Sequence, residues 1–183
     1  TVVQSYKDER IKFIKINNSG VIAKSRNKGA SIAKGRFLAF LDSDDWWLPS
    51  KLMVSINYIK SGYDVVYHDL FVVSKYTTRR KMVKISKARP LVSPAFEDLI
   101  KNGNDIATSG LVLKKDIFTK VKGFNEERDL IAAEDFHTWI KISKVSEKFF
   151  HIPKTLGYLF VGEDNATSFN RTVTNLTYLH KTY

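Results

Sequence analysis

The run Arg36-Phe37-Leu38-Ala39-Phe40-Leu41-Asp42-Ser43-Asp44-Asp45-Trp46-Trp47 passes from an apolar segment straight into three carboxylates. Five of the six residues from 36 to 41 are apolar, the pattern of a buried strand. Such strands belong to α/β sheets, whose ligands sit beyond the carboxyl ends of the strands. Three acids placed there repel one another unless positive charge lies between them. A hard divalent cation carrying a phosphorylated ligand answers that need. In an extended segment Asp42 and Asp44 point the same way and reach one ion together, while Asp45 faces elsewhere. The plain alternative is an Asp-rich turn ahead of a helix.

Outward from this run, helical and strand patterns alternate. Residues 11–16 alternate apolar and polar and predict a strand. Residues 25–34 predict a helix closed by Gly35. Residues 49–60 predict a second helix, with Pro49 at its start and Gly62 past its end. Leu52, Ile56 and Ile59 share its apolar face, with Met53 alongside. Residues 64–73 predict a strand with 81–85 as its hairpin partner. Short helices follow over 94–101 and 115–121, the latter ended by Gly123, with a strand over 110–113 between them. Residues 134–145 predict a helix carrying Phe136, Trp139, Ile140 and Ile142, and 149–152 and 155–161 predict two strands. The alternation implies an α/β domain with a largely parallel sheet. No repeat or linker divides the 183 residues, so a single domain is expected over 1–183.

Composition narrows the function classes. No apolar run approaches the roughly 18 residues that span a bilayer, and residues 1–8 lack a secretory pattern. The chain has no cysteine, which excludes disulfides and thiolate metal sites and favours a reducing, cytoplasmic setting. A net charge of +11 favours anionic partners, including an anionic membrane face. The plain reading is a lysine-rich solvated surface. Only residues 78–81 and 84–89 concentrate the charge, and no nucleic-acid-binding signature accompanies them, so nucleic acid is not an expected partner.

Two further groups carry chemistry. Asn17-Asn18-Ser19-Gly20 runs into Lys24-Ser25-Arg26-Asn27-Lys28-Gly29, a polar loop entering a basic helix start. Backbone amides and Arg26 there suit a phosphate or a nucleobase edge; an ordinary turn has the same composition. In Ala132-Ala133-Glu134-Asp135-Phe136-His137-Thr138-Trp139, two acids open an apolar helix. They complement the helix dipole, or one of them is a general base for a hydroxyl nucleophile. His137 is either a ligand or a polar-face residue. Gly123 ends a helix and Phe124 fills the core.

Taken in order, these words resemble the family 2 glycosyltransferases of the GT-A fold. The matching segments are residues 18–20, 25–29, 33–37, 41–52, 123–126 (Gly123-Phe124-Asn125-Glu126) and 134–139. The resemblance implies a GT-A (Rossmann-like) α/β fold, a mostly parallel sheet flanked by helices. It implies that Asp42-Ser43-Asp44 is the acidic metal motif, with Asp44 binding Mn²⁺ or Mg²⁺ and Asp42 holding the ribose or assisting the metal. Arg26, with Asn27 in the same word, would face the nucleotide. Asp135, with Glu134 beside it, would activate the acceptor hydroxyl. The implied reaction is an inverting transfer from a nucleotide-sugar donor, usually a UDP-sugar, onto a hydroxyl of a glycan or lipid-linked acceptor in bacterial surface glycan synthesis. Localisation would be cytoplasmic, at the inner membrane face.

Such proteins begin with a strand, a helix and a second strand. Here the chain opens on what reads as the tail of the next helix, residues 1–6, so that first strand-helix-strand unit is expected to be missing. The Gln-x-x-Arg-Trp word of processive synthases is absent, and Tyr158-Leu159-Phe160-Val161-Gly162 offers no Arg or His to a diphosphate. Residues 79–94 and 102–108 are read as irregular acceptor-side loops. Two alternatives stand beside the transferase. One is a haloacid-dehalogenase-type phosphatase with Asp42 as nucleophile. The other is a non-catalytic glycosyltransferase-like domain that assembles with a partner, or with itself as a homo-oligomer, to cover an exposed sheet edge.

Overall fold

The computed structural model describes residues 2–76, 84–162 and 169–183. In chain order the elements are α1 (Val2–Ser5), α2 (Ile22–Ile32), β1 (Phe37–Ala39), β2 (Trp46–Trp47), α3 (Lys51–Lys60), β3 (Val65–Val73) and β4 (Lys84–Ser86). There follow α4 (Ala95–Asn102), β5 (Leu111–Lys114), α5 (Lys115–Lys120), α6 (Glu134–Ser143), β6 (Phe149–Phe160) and α7 (Phe169–Thr182). Short 3₁₀ turns lie at Thr108–Gly110 and Arg128–Leu130.

The sheet runs β1-β5-β3-β6-β2, with β4 paired to β3. It is mixed rather than mostly parallel. Among the described residues only β3 and β6 pair in parallel; β1–β5, β5–β3, β3–β4 and β2–β6 are antiparallel. The alternation of elements was half the story. The crossover through α3 does leave β1 and β3 pointing the same way, as a strand-helix-strand unit must. β5 then enters between them, antiparallel to both, with Leu113 opposite Leu38 on one side and Val65 on the other. Nothing in the sequence of β5 announces which gap it fills.

β3 is the central strand, and its alternate residues serve opposite faces. Val65 and Tyr67 join the larger core with Leu99, Phe118, Phe124, Trp139 and Ile140. Val66 joins the smaller one with Ile59, Val112, Ile152 and Leu156. Serving both faces is why apolar residues stand at consecutive positions on either side of His68 and Asp69 in this strand. Fully burying side chains of this size stabilises by about 1.5–3 kcal/mol each. The two strands expected near the end are one, β6, whose register against β3 slips after His68 and again after Asp69. Pro153, which has no N–H to donate, lies at that irregularity.

Other expectations shift for identifiable reasons. Residues 11–16 form no strand, and Ile11, Phe13, Ile14 and Ile16 are exposed. A strand needs a neighbour to complete its hydrogen bonds, and none of the described residues pairs with this segment. α2 starts and ends earlier than expected, at Ile22 and Ile32, capped by the Ala33 N–H on the Gly29 carbonyl. α3 buries Ile59 of its expected stripe together with Lys51 and Ser55, while Leu52 is 43% and Met53 64% exposed. The hairpin partner expected over 81–85 appears as β4; residues 81–83, and the basic run 78–81, lie outside the described residues. α7 was not anticipated. Leu179 enters the main core, and Tyr178 and Asn175 bond Asn125 and the Ile131 carbonyl, bracing the loop that leads into α6.

Candidate functional site

β1 delivers the acidic residues, but not as an extended segment. The Asp45 N–H donates to the Asp42 carbonyl at 3.1 Å, closing a turn over 42–45. Asp42 and Asp44 therefore do not share a strand face. Asp44 and Ser43 are exposed at the turn's tip, while Asp45 is buried. The Asp45 carboxylate accepts the Phe160 N–H at 2.8 Å. Burial pushes its pKa up, with the charges of Asp42 and Asp44 adding to the effect and hydrogen bonds from Ser109 and Phe160 opposing it. Asp45 is thus a structural acid that ties the turn to β6. Trp46 stacks on Tyr158 at 4.9 Å, and the Trp47 indole N–H donates to the Ser109 carbonyl at 2.7 Å.

Arg26, one turn into α2, joins the distant parts. Its Nη2 donates to both oxygens of Asp42, at 2.7 and 2.9 Å, and its Nη1 donates to Glu134 Oε1 at 2.7 Å, across 108 positions of sequence. The Arg26 side chain is 11% exposed and the guanidinium lies over the Phe124 ring. Burial alone would lower its pKa; Asp42 first, then Glu134 and Asp135, outweigh that and hold it above its ordinary value. A planar, permanently charged fork is the group suited to hold two carboxylates apart.

Asn27 does not share this role. Its amide oxygen accepts the Phe124 N–H, and its NH₂ donates to the Phe124 carbonyl and to Glu126. Both ends of the amide are committed to clamping the 123–126 loop onto α2. Gly123 makes that clamp fit: its φ is +65°, and a Cβ there would lie 2.6 Å from the Asn27 oxygen.

Glu134 and Asp135 open α6. Glu134 is buried; its Oε2 finds no partner among the described residues. Asp135 accepts the Phe136 N–H through Oδ1 at 2.6 Å and the Thr108 hydroxyl through Oδ2 at 3.2 Å. Burial, then the neighbouring Glu134 charge, push its pKa up to about 6; the Phe136 and Thr108 hydrogen bonds and Arg26 hold it back. His137 is buried against Tyr178 and Tyr183, on the α7 side, and burial pushes its pKa down to about 4. It is a neutral packing residue here.

The structure thus gathers Arg26, Asp42, Glu134 and Asp135, sets Ser43 and Asp44 at the rim, and commits Asn27 elsewhere. An open cleft of about 670 Å³ runs from the α2 face at Ser25, Arg26 and Gly29 along residues 37–43. Sequence reasoning missed Thr108 and Ser109, which sit in a stretch without periodicity. It also missed Lys51, whose Nζ donates to the Leu111 carbonyl and lies 3.8 Å from the Trp47 ring centroid. The available signal was a hydroxyl pair before a glycine, an ordinary turn composition.

Comparison with known proteins agrees with this architecture. Residues 1–121 match the profile of the family described as Glycosyl transferase family 2. The chain is 32% identical over 143 residues to an Escherichia coli UDP-Glc:alpha-D-GlcNAc-diphosphoundecaprenol beta-1,3-glucosyltransferase, WfaP, covering 77% of this chain and 52% of that protein. It is 27% identical over 175 residues to an uncharacterized glycosyltransferase of Methanocaldococcus jannaschii, MJ1057, covering 91% of this chain and 57% of that protein. A putative teichuronic acid biosynthesis glycosyltransferase of Bacillus subtilis, TuaG, is 32% identical over 85 residues, covering 41% and 34% of the two chains. A crystal structure of S. aureus TarS 1-349 superposes with a TM-score of 0.59 at 22% identity, over 80% of this chain and 42% of that one, a likeness of fold. The chain spans about half the length of the first curated relatives.

Proposed function

The chain belongs to glycosyl transferase family 2, and from that membership we propose a specific reaction. It transfers a sugar, with inversion, from a UDP-sugar to a hydroxyl of a glycan or lipid-linked acceptor in bacterial surface glycan synthesis. The observation that carries this reading is the Arg26 bridge, which brings the acidic turn and the Glu134–Asp135 pair into one site. The name of the E. coli relative supports the donor and acceptor classes, and that of the B. subtilis relative supports a place in glycan synthesis. Family membership displaces the phosphatase alternative.

In this reading Asp135 is the base. With a pKa of about 6 it is largely ionised at neutral pH yet still basic enough to take a proton as the acceptor oxygen attacks. Arg26 keeps Asp42 oriented and offsets the charge of Glu134, so that Asp135 is not the middle of three unpaired acids. The exposed Asp44 carboxylate, next in sequence to Ser43 of the cleft lining, is open to a ligand. A single displacement at the anomeric carbon, with Asp135 on the acceptor side, inverts the configuration and releases the nucleoside diphosphate.

Among the described residues no group of three His, Cys, Asp or Glu side chains could by itself hold a metal ion. That donor set nevertheless fits Mn²⁺ or Mg²⁺ arriving with its diphosphate, since such ions are held by one or two carboxylates and complete their shell with phosphate oxygens and water. Asp44, assisted by Asp42, would hold it, and the chemistry it supplies is neutralisation of the charge growing on the leaving diphosphate. The net charge of +11 supports work at an anionic membrane face, where a lipid-linked acceptor is presented.

Calorimetric titration of UDP with and without Mn²⁺ tests the reading. Binding is expected to need Mn²⁺ and to vanish in Asp44→Asn, while Asp135→Asn should still bind UDP and lose transfer. Transfer that survives in Asp135→Asn would remove that residue from the base role.

A further inference from the structure

The acidic turn and the Glu134–Asp135 pair are linked a second time, independently of Arg26. Thr108 and Ser109 begin the 3₁₀ turn that leads into β5, and both are buried. Thr108 donates its hydroxyl to Asp135 Oδ2. Ser109, the next residue, faces the other partner: its Oγ accepts the Asp42 N–H at 3.1 Å and its carbonyl accepts the Trp47 indole N–H at 2.7 Å. Its side chain also hydrogen-bonds the Asp45 carboxyl. The turn itself has no slack. The Gly110 N–H closes it on the Ala107 carbonyl at 2.9 Å, and a Cβ on Gly110 would come within 3.0 Å of the His68 carbonyl on β3.

We infer that Thr108 and Ser109 are positioning residues of the transfer reaction: Thr108 orients and tunes the Asp135 carboxylate, and Ser109 anchors the acidic turn. One buried turn thereby fixes the spacing between the donor end of the site and its base. The inference rests on the transferase reading given above.

The chemistry of a hydroxyl suits the first role. It donates to Asp135 when the carboxylate is ionised and can accept once Asp135 holds a proton, so it stays bonded through a proton transfer. The charged groups facing Asp135 are Glu134, on its own helix, and Arg26, from α2. Glu134 and Arg26 largely offset each other through their ion pair. Asp42 is linked to this group through Arg26. The Thr108 hydroxyl is what β5's entry turn contributes, and it favours the charged form.

Three variants test this in the full chain. Thr108→Val keeps the shape and removes the hydroxyl, Thr108→Ser restores it, and Ser109→Ala removes the other. Carbon-detected NMR titration of the Asp135 carboxyl is expected to shift upward by about half to one pH unit in Thr108→Val. It should return in Thr108→Ser and stay put in Ser109→Ala. UDP affinity in Mn²⁺ should fall about tenfold in Ser109→Ala and stay unchanged in Thr108→Val. An unmoved Asp135 titration in Thr108→Val would overturn the role of Thr108. Equal effects of Thr108→Val and Ser109→Ala on both readouts would reduce the pair to general structural support and overturn the inference. The titration needs no substrate, so failure of the unaltered chain to bind UDP would sink the transferase reading without being mistaken for failure of Thr108.

Discussion

Replacing Lys51 with methionine should flatten the pH dependence of this protein's stability between pH 7 and 9. Lys51 is wholly buried at the start of α3. Its Nζ reaches the Leu111 carbonyl at 3.2 Å and the Trp47 ring at 3.8 Å, and no carboxylate pairs with it among the described residues. Burial pushes its pKa down from 10.5 to about 7. The unfolded chain keeps that proton up to the ordinary value, whereas the folded chain releases it near neutrality. Between those limits unfolding takes up a proton, so stability rises with pH. Acting alone, burial of this size makes the folded state more stable at pH 9 than at pH 7 by about 2 kcal/mol. Attraction of the ammonium to the Trp47 ring favours the charged form and trims the expected gain to about 1–2 kcal/mol. Methionine keeps the stem and removes the titrating group.

Urea unfolding at both pH values, for the unaltered chain and Lys51→Met, gives the difference directly. Other titrating groups are common to the two proteins and cancel. At a single pH the comparison is ambiguous, because methionine also forfeits the bond to Leu111, about 1 kcal/mol. Parallel behaviour of the two proteins from pH 7 to 9 would refute the reasoning. Lys51 would then be charged in the folded state throughout. The matter bears on the site because Trp47, resting on Lys51, is bonded to the same Ser109 that anchors Asp42.

Two further outcomes follow from the geometry. Gly123→Ala combines a φ of +65° with a 2.6 Å clash against Asn27; thermal unfolding should show a loss of about 1–3 kcal/mol, and a loss below 0.5 kcal/mol would mean that the clamp yields. Arg26→Met leaves Glu134 buried and unpaired, so denaturation should show a loss of about 3 kcal/mol; adding Glu134→Gln should recover part of it, and strict additivity would deny the ion pair its role.

The acidic run after β1, the glycine that ends α5 and the acids opening α6 were legible because their signals are local. An apolar run meeting carboxylates, a glycine past a helix and charge at a helix start each occupy a few adjacent residues. The same locality misled at α3. Its stripe of Leu52, Ile56 and Ile59 is helical, but the helix also turns Lys51 and Ser55 inward, Lys51 reaching the Leu111 carbonyl and the Trp47 ring, and leaves Leu52 exposed. The words containing Arg26 and Asp42 could be read singly. Their contact could not, nor could the diversion of Asn27 to the loop at Phe124.

From sequence alone came the class of fold, most of the elements from α2 to α6 in their order and the residue types that carry chemistry. These depend on periodicity and on residues within a few positions of one another. Tertiary structure alone decided that β5 slots between β1 and β3, and that Arg26, Thr108 and Ser109 tie the Asp42 turn to α6. Each depends on groups far apart in the chain, brought together only when the sheet closes over its two cores. A hydrogen bond across 108 positions leaves no trace in the spacing of either partner.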